Sequence, residues 1–162
     1  MNSKLKPQKK VSQSRVQLAQ LMQPSQANHH GNVHGGWIMK LVDEAGALAC
    51  MRHAQSRVVT VAVDQMVFRE PIRIGDLVIL KAEVSYVGRT SMEAQVKVIA
   101  ENPVTGESIH TNTAYLVYVA LDADGRSIEV PSLIVETDSE RNRMEQGRLR
   151  QTYRLNQRRL AE

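Results

Sequence analysis

Asn28-His29-His30-Gly31-Asn32-Val33-His34-Gly35-Gly36 runs without a break into Trp37-Ile38-Met39-Lys40-Leu41-Val42-Asp43-Glu44-Ala45-Gly46, and this stretch decides how the chain reads. A polar, glycine-punctuated loop opens directly into a helical pattern. Ile38, Leu41, Val42, Ala45, Leu48 and Ala49 recur at helical spacing and predict a helix from about Gly36 to about Arg52. A glycine pair at a helix start lets a ligand or another backbone approach the free N–H groups there. The helix dipole favours negative charge at the same point. Two turns further on stands Asp43, an acid where an apolar residue would be ordinary. Donors at the loop and a carboxylate beyond them can polarise a carbonyl and activate a water, the outline of a hydrolytic site.

Helical spacing separates Asp43 sharply from Glu44. Residues three, four and seven away share a face. Apart from Lys40, these around Asp43 are Gly36, Met39, Gly46, Ala47 and Cys50, uncharged and mostly small. Glu44 has Lys40 one turn back, which offers a surface ion pair. A carboxylate left unpaired on a small, apolar face is disfavoured in its charged form, which suits a general base. The alternative is a solvent-facing Asp43 on a polar stripe. His34 is either a base or a turn residue that hydrogen-bonds the helix start, whereas His29 and His30 read as solvent-facing. Asn28 and Asn32 can orient a water or donate to a carbonyl oxygen, and they are equally good turn residues. Cys50 reads as a small packed side chain. No Gly-x-Ser-x-Gly elbow or zinc-type Cys/His spacing occurs in the sequence, and His30 and His34, four apart in the loop, lack the helical arrangement that would bind a metal.

Outward from the helix the chain alternates between apolar runs and turn signals. Val16–Met22 reads as a short strand or helix ended by Pro24-Ser25. Val58–Phe68, Leu77–Val87, Met92–Ala100 and Ile109–Leu121 have strand character. The turns between and after them lie at Pro71–Asp76, Gly88–Ser91, Asn102–Gly106 and Asp122–Gly125. One long helix followed by an antiparallel meander is an α+β pattern. Thr137 with Glu140 forms a capping-box signal for a last helix, which Gly147 weakens in its middle. The expected organisation is a flexible basic N-terminus over residues 1–14, one domain over 15–135, and a charged helix or tail over 136–162.

At 162 residues and 42% hydrophobic, the chain is long and apolar enough for one folded domain. Its single cysteine excludes an internal disulfide and suits a reducing compartment. No apolar run approaches the ~20 residues of a membrane span. Lys4, Lys6, Lys9 and Lys10 are not followed by the apolar stretch of a secretory signal. A soluble, cytoplasmic protein without membrane insertion is expected. The net charge of +4 suits either nucleic acid or a phosphate-bearing small molecule. The C-terminal arginines are interspersed with Glu140, Glu145 and Glu162, so they read as a solvated helix or assembly element, and no nucleic-acid partner is expected.

Taken together, Asn28-x-x-Gly31-Asn32-Val33-His34-Gly35-Gly36-x-x-Met39-Lys40 and Asp43-Glu44-Ala45-Gly46 resemble the hotdog-fold acyl-CoA thioesterases of the cytosolic acyl-CoA hydrolase type. The resemblance continues through Arg52-His53, Val59-Thr60 with Asp64, Pro71–Gly75 and Gly88–Glu93. It extends on through Val119–Leu121, Gly125-Arg126 and Val130-Pro131 to the charged tail. It implies a helix wrapped by an antiparallel sheet, and two protomers joined into one continuous sheet. It also implies hydrolysis of acyl-coenzyme A, with dimers associated as a trimer of dimers. In that family the residues matching Asp43 and Asn28 carry catalysis from opposite protomers. The N–H groups of Gly35 and Gly36 would face the developing oxyanion. Arg89 is the first choice for a nucleotide contact, and Thr90, Ser91, Thr60 and His34 complete the expected substrate-binding set. Coenzyme A is part of the substrate and product, so neither a separate cofactor nor a metal is expected. Two alternatives stand beside this. A hotdog hydroxyacyl-thioester dehydratase would need His34 poised opposite the helix acid. A non-enzymatic acyl-CoA-binding regulator would need a DNA-binding module, for which the ~20 residues ahead of the fold leave no room.

Overall fold

Between Leu77 and Leu121 every second residue along much of each run is apolar, as Val78, Leu80, Ala82 and Val84 show, and each turn carries a glycine or asparagine. The computed structural model, which describes residues 6–64 and 66–161, folds this stretch into three long antiparallel strands. These are β4 (Leu77–Val87), β5 (Ser91–Glu101) and β6 (Ser108–Leu121). Two earlier strands flank them, β2 (Val16–Leu21) beside β4 and β3 (Arg57–Val63) beside β6, giving the order β2-β4-β5-β6-β3. The short strands β1 (Gln8–Lys10) and β7 (Ser132–Ile134) pair in parallel as a separate ribbon.

Helix α1 (Gly35–Ala54) lies in the hollow of the five-stranded sheet, the architecture implied by the hotdog resemblance. Its expected stripe supplies the core: Ile38, Leu41, Val42, Ala45 and Ala49 are buried, while Leu48 stays at the surface. They pack against the inward residues of the meander, among them Leu80, Val96 and Leu116. Gln55 closes α1 in the left-handed region at φ 54°, its N–H returning to the Met51 carbonyl.

Strand β3 ends at Val63, earlier than the apolar run to Phe68 predicts. After the Asp64 N–H reaches the Tyr115 carbonyl, the chain leaves β6 and carries the Phe68 ring to the start of α1. A second difference concerns the N-terminus. Residues 8–14, expected to be flexible, form β1 and a 3-10 turn in which Val11 and Ser14 are buried. Ser14 Oγ accepts the Val84 N–H, which ties this turn to β4. The part of that expectation falling on Met1–Leu5 lies outside the described residues.

The capping signal at Thr137 opens α2 (Asp138–Ala161). Thr137 Oγ1 accepts the Glu140 N–H, and the Glu140 carboxylate takes the Glu136 N–H in return. Helix α2 lies across the outer face of the sheet, closest at Gly147, where a Cβ would sit 2.6 Å from that of Tyr86. Beside that crossing, the fully buried Glu93 of β5 meets Arg150, Arg154 and Ser85. Arg154 also bonds Asp64 at 2.7 Å, just past the end of β3.

Candidate active site

Asp43 sits half-buried on α1, and Glu44 beside it faces solvent in the expected ion pair with Lys40. The aspartate is not unpaired as its helical neighbours suggest. Its Oδ1 accepts hydrogen bonds from Thr60 Oγ1 at 2.8 Å and from the Tyr118 hydroxyl at 3.0 Å. Both donors follow from strand geometry. Thr60 alternates with outward-facing Val59 and Val61 on β3, and Tyr118 lies between Val117 and Val119 on β6. The two are register partners, so their hydroxyls rise side by side from the sheet toward one carboxylate oxygen.

The phenol's single hydrogen is shared with the Asp43 main-chain carbonyl, 2.9 Å away. Such closeness needs a gap in the helix, and Gly46 provides it. A Cβ there would meet the Tyr118 oxygen at 2.5 Å. Tyr118 is fully buried, and burial first, then the charge of Asp43, pushes its phenol up. It therefore remains protonated and a donor. Burial likewise pushes the Cys50 thiol up and leaves it inert, in keeping with a packed small residue.

At the start of α1 the donors differ from expectation. His34 is the N-cap, and its Nδ1 accepts the Gly36 N–H at 3.0 Å. That N–H is therefore not free for an oxyanion, and His34 serves the turn. Among the described residues the Gly35 N–H has no such partner. Asn28 forms an Asx turn in which its Oδ1 accepts the N–H groups of His30 at 2.9 Å and Asn32 at 3.2 Å. Its Nδ2 is left to donate elsewhere, and no hydrogen bond among the described residues joins it to Asp43 of the same chain.

The expected substrate-binding set is divided. Thr60 is at Asp43, with its hydroxyl hydrogen committed there. Arg89 is exposed on the Gly88–Ser91 turn, with Glu129 at 3.8 Å. Thr90 and Ser91 line a cavity of about 550 Å³ together with Arg154 and Arg158 of α2. Val117 and Val119 also line it, so it lies on the outer side of the sheet, away from Asp43 of its own chain. Among the described residues no group of acidic, His and Cys side chains is arranged to hold a metal.

Sequence reasoning missed Tyr118, the space at Gly46, and the Glu93 cluster. Tyr118 did leave a signal. It alternates in phase with Leu116 and Ala120, and a tyrosine buried that way needs a partner for its hydroxyl.

Known proteins share this architecture and sequence. A family model described as the Thioesterase superfamily matches residues 30–107. The human cytosolic acyl coenzyme A thioester hydrolase is 38% identical over 141 residues, 85% of this chain and 37% of its own length. The chain thus spans just over a third of that relative. An uncharacterized acyl-CoA thioester hydrolase of Bacillus subtilis is 38% identical over 117 residues, 72% of this chain and 68% of its own. Among solved structures, an acyl-CoA hydrolase from Staphylococcus aureus, in complex with butyryl coenzyme A, coenzyme A and coenzyme A disulfide, superposes with a TM-score of 0.88. It is 32% identical, over 96% of this chain and 94% of its own. A hexameric apo acyl-CoA thioesterase superposes with a TM-score of 0.89 at 34% identity, over 93% of this chain and 97% of its own. A hotdog architecture and a matching sequence along nearly the whole chain lead to one assignment: the chain belongs to the acyl-CoA thioester hydrolases of the thioesterase superfamily.

Proposed function

We propose that this protein hydrolyses the thioester of acyl-coenzyme A to a free carboxylic acid and coenzyme A. The observation that carries the reading is the Asp43 carboxylate. Thr60 and Tyr118 hold its Oδ1, and its Oδ2 has no partner among the described residues. One oxygen is thus fixed and the other is available to take a proton. The names of the relatives support the same reaction.

In the proposed step a water gives its proton to Asp43 Oδ2 while its oxygen bonds to the thioester carbon. The carbonyl electron pair moves to oxygen, where the Gly35 N–H and the Asn28 amide donate hydrogen bonds, each such donor contributing ~3 kcal/mol. The C–S bond then breaks, and the leaving thiolate recovers the proton from Asp43. No cofactor enters this sequence.

Gly35 and Asp43 of one chain are about 12 Å apart along the helix axis. One carbonyl is served more compactly by Asp43 of one protomer with Asn28 and Gly35 of the other. A homodimer with two equivalent shared sites is therefore the proposed functional unit. Strand β3 supports it, since among the described residues it pairs only with β6 and leaves an open edge beside Val59, Val61 and Val63, which are 43–48% exposed. The hexameric relative supports a trimer of such dimers. The Arg89–Ser91 turn is the proposed contact for the nucleotide phosphates. Facing away from its own Asp43, it would serve a substrate seated on a neighbouring chain.

Two rival roles lose support. His34, the candidate group for a dehydratase, has its Nδ1 occupied by the Gly36 N–H. The arginine-rich helix has Arg143, Arg150 and Arg154 paired with Glu83, Glu93 and Asp64, which takes charge away from any nucleic-acid face. No helix among the described residues is long and apolar enough to cross a membrane. A cytoplasmic location is proposed from the cytosolic human relative.

The test is thiol release across a series from acetyl to long-chain acyl-CoA, with the acid product identified by mass spectrometry. One acid per thiol is expected. No release anywhere in the series overturns the proposal.

A further inference from the structure

We infer that Tyr118 is the positioning residue of the site, fixing which oxygen of Asp43 is free to react, and that Gly46 exists to admit it. The inference rests on the hydrolytic reading above and deepens it.

The Tyr118 hydroxyl reaches two acceptors on one residue, the Asp43 main-chain carbonyl at 2.9 Å and Oδ1 at 3.0 Å. Its one hydrogen, shared between the two acceptors, ties the carboxylate to its own backbone and so limits rotation about the aspartate side-chain bonds. Thr60 adds a second donor to the same oxygen from the paired strand. Oδ2 is thereby the oxygen left to the substrate. The ring itself is fully buried and touches no solvent, so its hydroxyl acts on the reaction only through Asp43. The phenol has this reach because α1 has no side chain at Gly46. A Cβ would stand 2.5 Å from the hydroxyl oxygen and 3.1 Å from two ring carbons. Glycine in a helix interior costs about 1 kcal/mol relative to alanine. That cost is offset here by the approach of the phenol.

The experiment is a cycle of four proteins, wild type, Tyr118→Phe, Gly46→Ala and the double variant, assayed for kcat and KM by thiol release. Each is checked for folding by circular dichroism. Tyr118→Phe should lower kcat about tenfold, the loss of one hydrogen bond to a charged group, with KM within about twofold. Gly46→Ala should lower kcat at least as much, because the phenol is displaced. In the double variant the added methyl no longer meets a hydroxyl and keeps only the 3.1 Å contacts with two ring carbons, so its kcat should lie near that of Tyr118→Phe and well above the product of the two losses. Wild-type kcat in either folded single variant overturns the inference, as do fully multiplicative losses in the double variant. Should Tyr118→Phe fail to fold, Gly46→Ala retains the phenol and decides alone. Absence of thiol release by the wild type overturns the hydrolytic reading itself, a result distinct from a wild type whose activity the variants leave unchanged.

Discussion

Arg150 grips the fully buried carboxylate of Glu93 with two hydrogen bonds, Nε to Oε2 at 3.0 Å and Nη2 to Oε1 at 2.7 Å. The guanidinium lies 3.7 Å above the Tyr115 ring, so it is packed as well as paired. Removing one partner of a buried ion pair leaves an uncompensated charge, and that is where the cost arises. Glu93→Ala should destabilise the protein by about 3 kcal/mol or more, read as a lower urea midpoint. An unchanged midpoint would show that α2 is held by other contacts.

Asp43→Asn should remove most turnover while leaving the thermal midpoint close to wild type, because an amide cannot take up the proton. Glu44→Gln should cost less than about threefold, since Glu44 only pairs with Lys40 at the surface. Equal losses in the two variants would contradict the separation of the two faces. Single-turnover hydrolysis in ¹⁸O-water should place label in the released acid alone. Label in the Asp43 peptide would identify the carboxylate as a nucleophile.

Asn28→Ala and Asp43→Ala should each be inactive, and together they should regain activity under subunit exchange. A heterodimer of the two has one intact site and one doubly broken one. Random pairing then restores up to about a quarter of wild-type activity. Native mass spectrometry must find the heterodimer first. No recovery in its presence would mean that both residues serve one site from one chain.

Stability should fall as the solution is acidified below the usual histidine value of 6.5, with His53 contributing. Burial, and to a smaller extent the charge of Lys9, holds its folded value down against the hydrogen bond to Pro131. The unfolded chain therefore takes up the proton first. Stability is fully present above 6.5 and is lost progressively as pH falls from there toward the lowered folded value. His53→Gln should flatten this part of the urea-midpoint profile, and an unaltered profile would assign it to other groups.

Helix α1 and the bounds of β4 were open to reading because each carries its own period, 3.6 residues in one and two in the other. The cap at Thr137 was legible for a similar reason, being local. Asp43 stood out by its neighbours, but its hydrogen bonds did not. They depend on the pairing of β3 with β6, a long-range register that neither strand states alone. The loss of the Gly36 N–H to His34 is a matter of one side-chain rotamer. Strand β1 was hidden because Gln8-Lys9-Lys10 has no apolar alternation and takes its form from β7.

Gly147 has a consequence for the order of folding. It stands in the middle of α2, where glycine weakens the isolated helix, and its missing side chain is what lets the helix lie against Tyr86. Helix α2 thus has little reason to form before β4 and β5 present their outer surface. It should condense last, onto a sheet already assembled, and be absent from the folding transition state. Substitutions at Arg150 and Arg154 should then accelerate unfolding while refolding proceeds at the wild-type rate, a division that stopped-flow chevrons resolve.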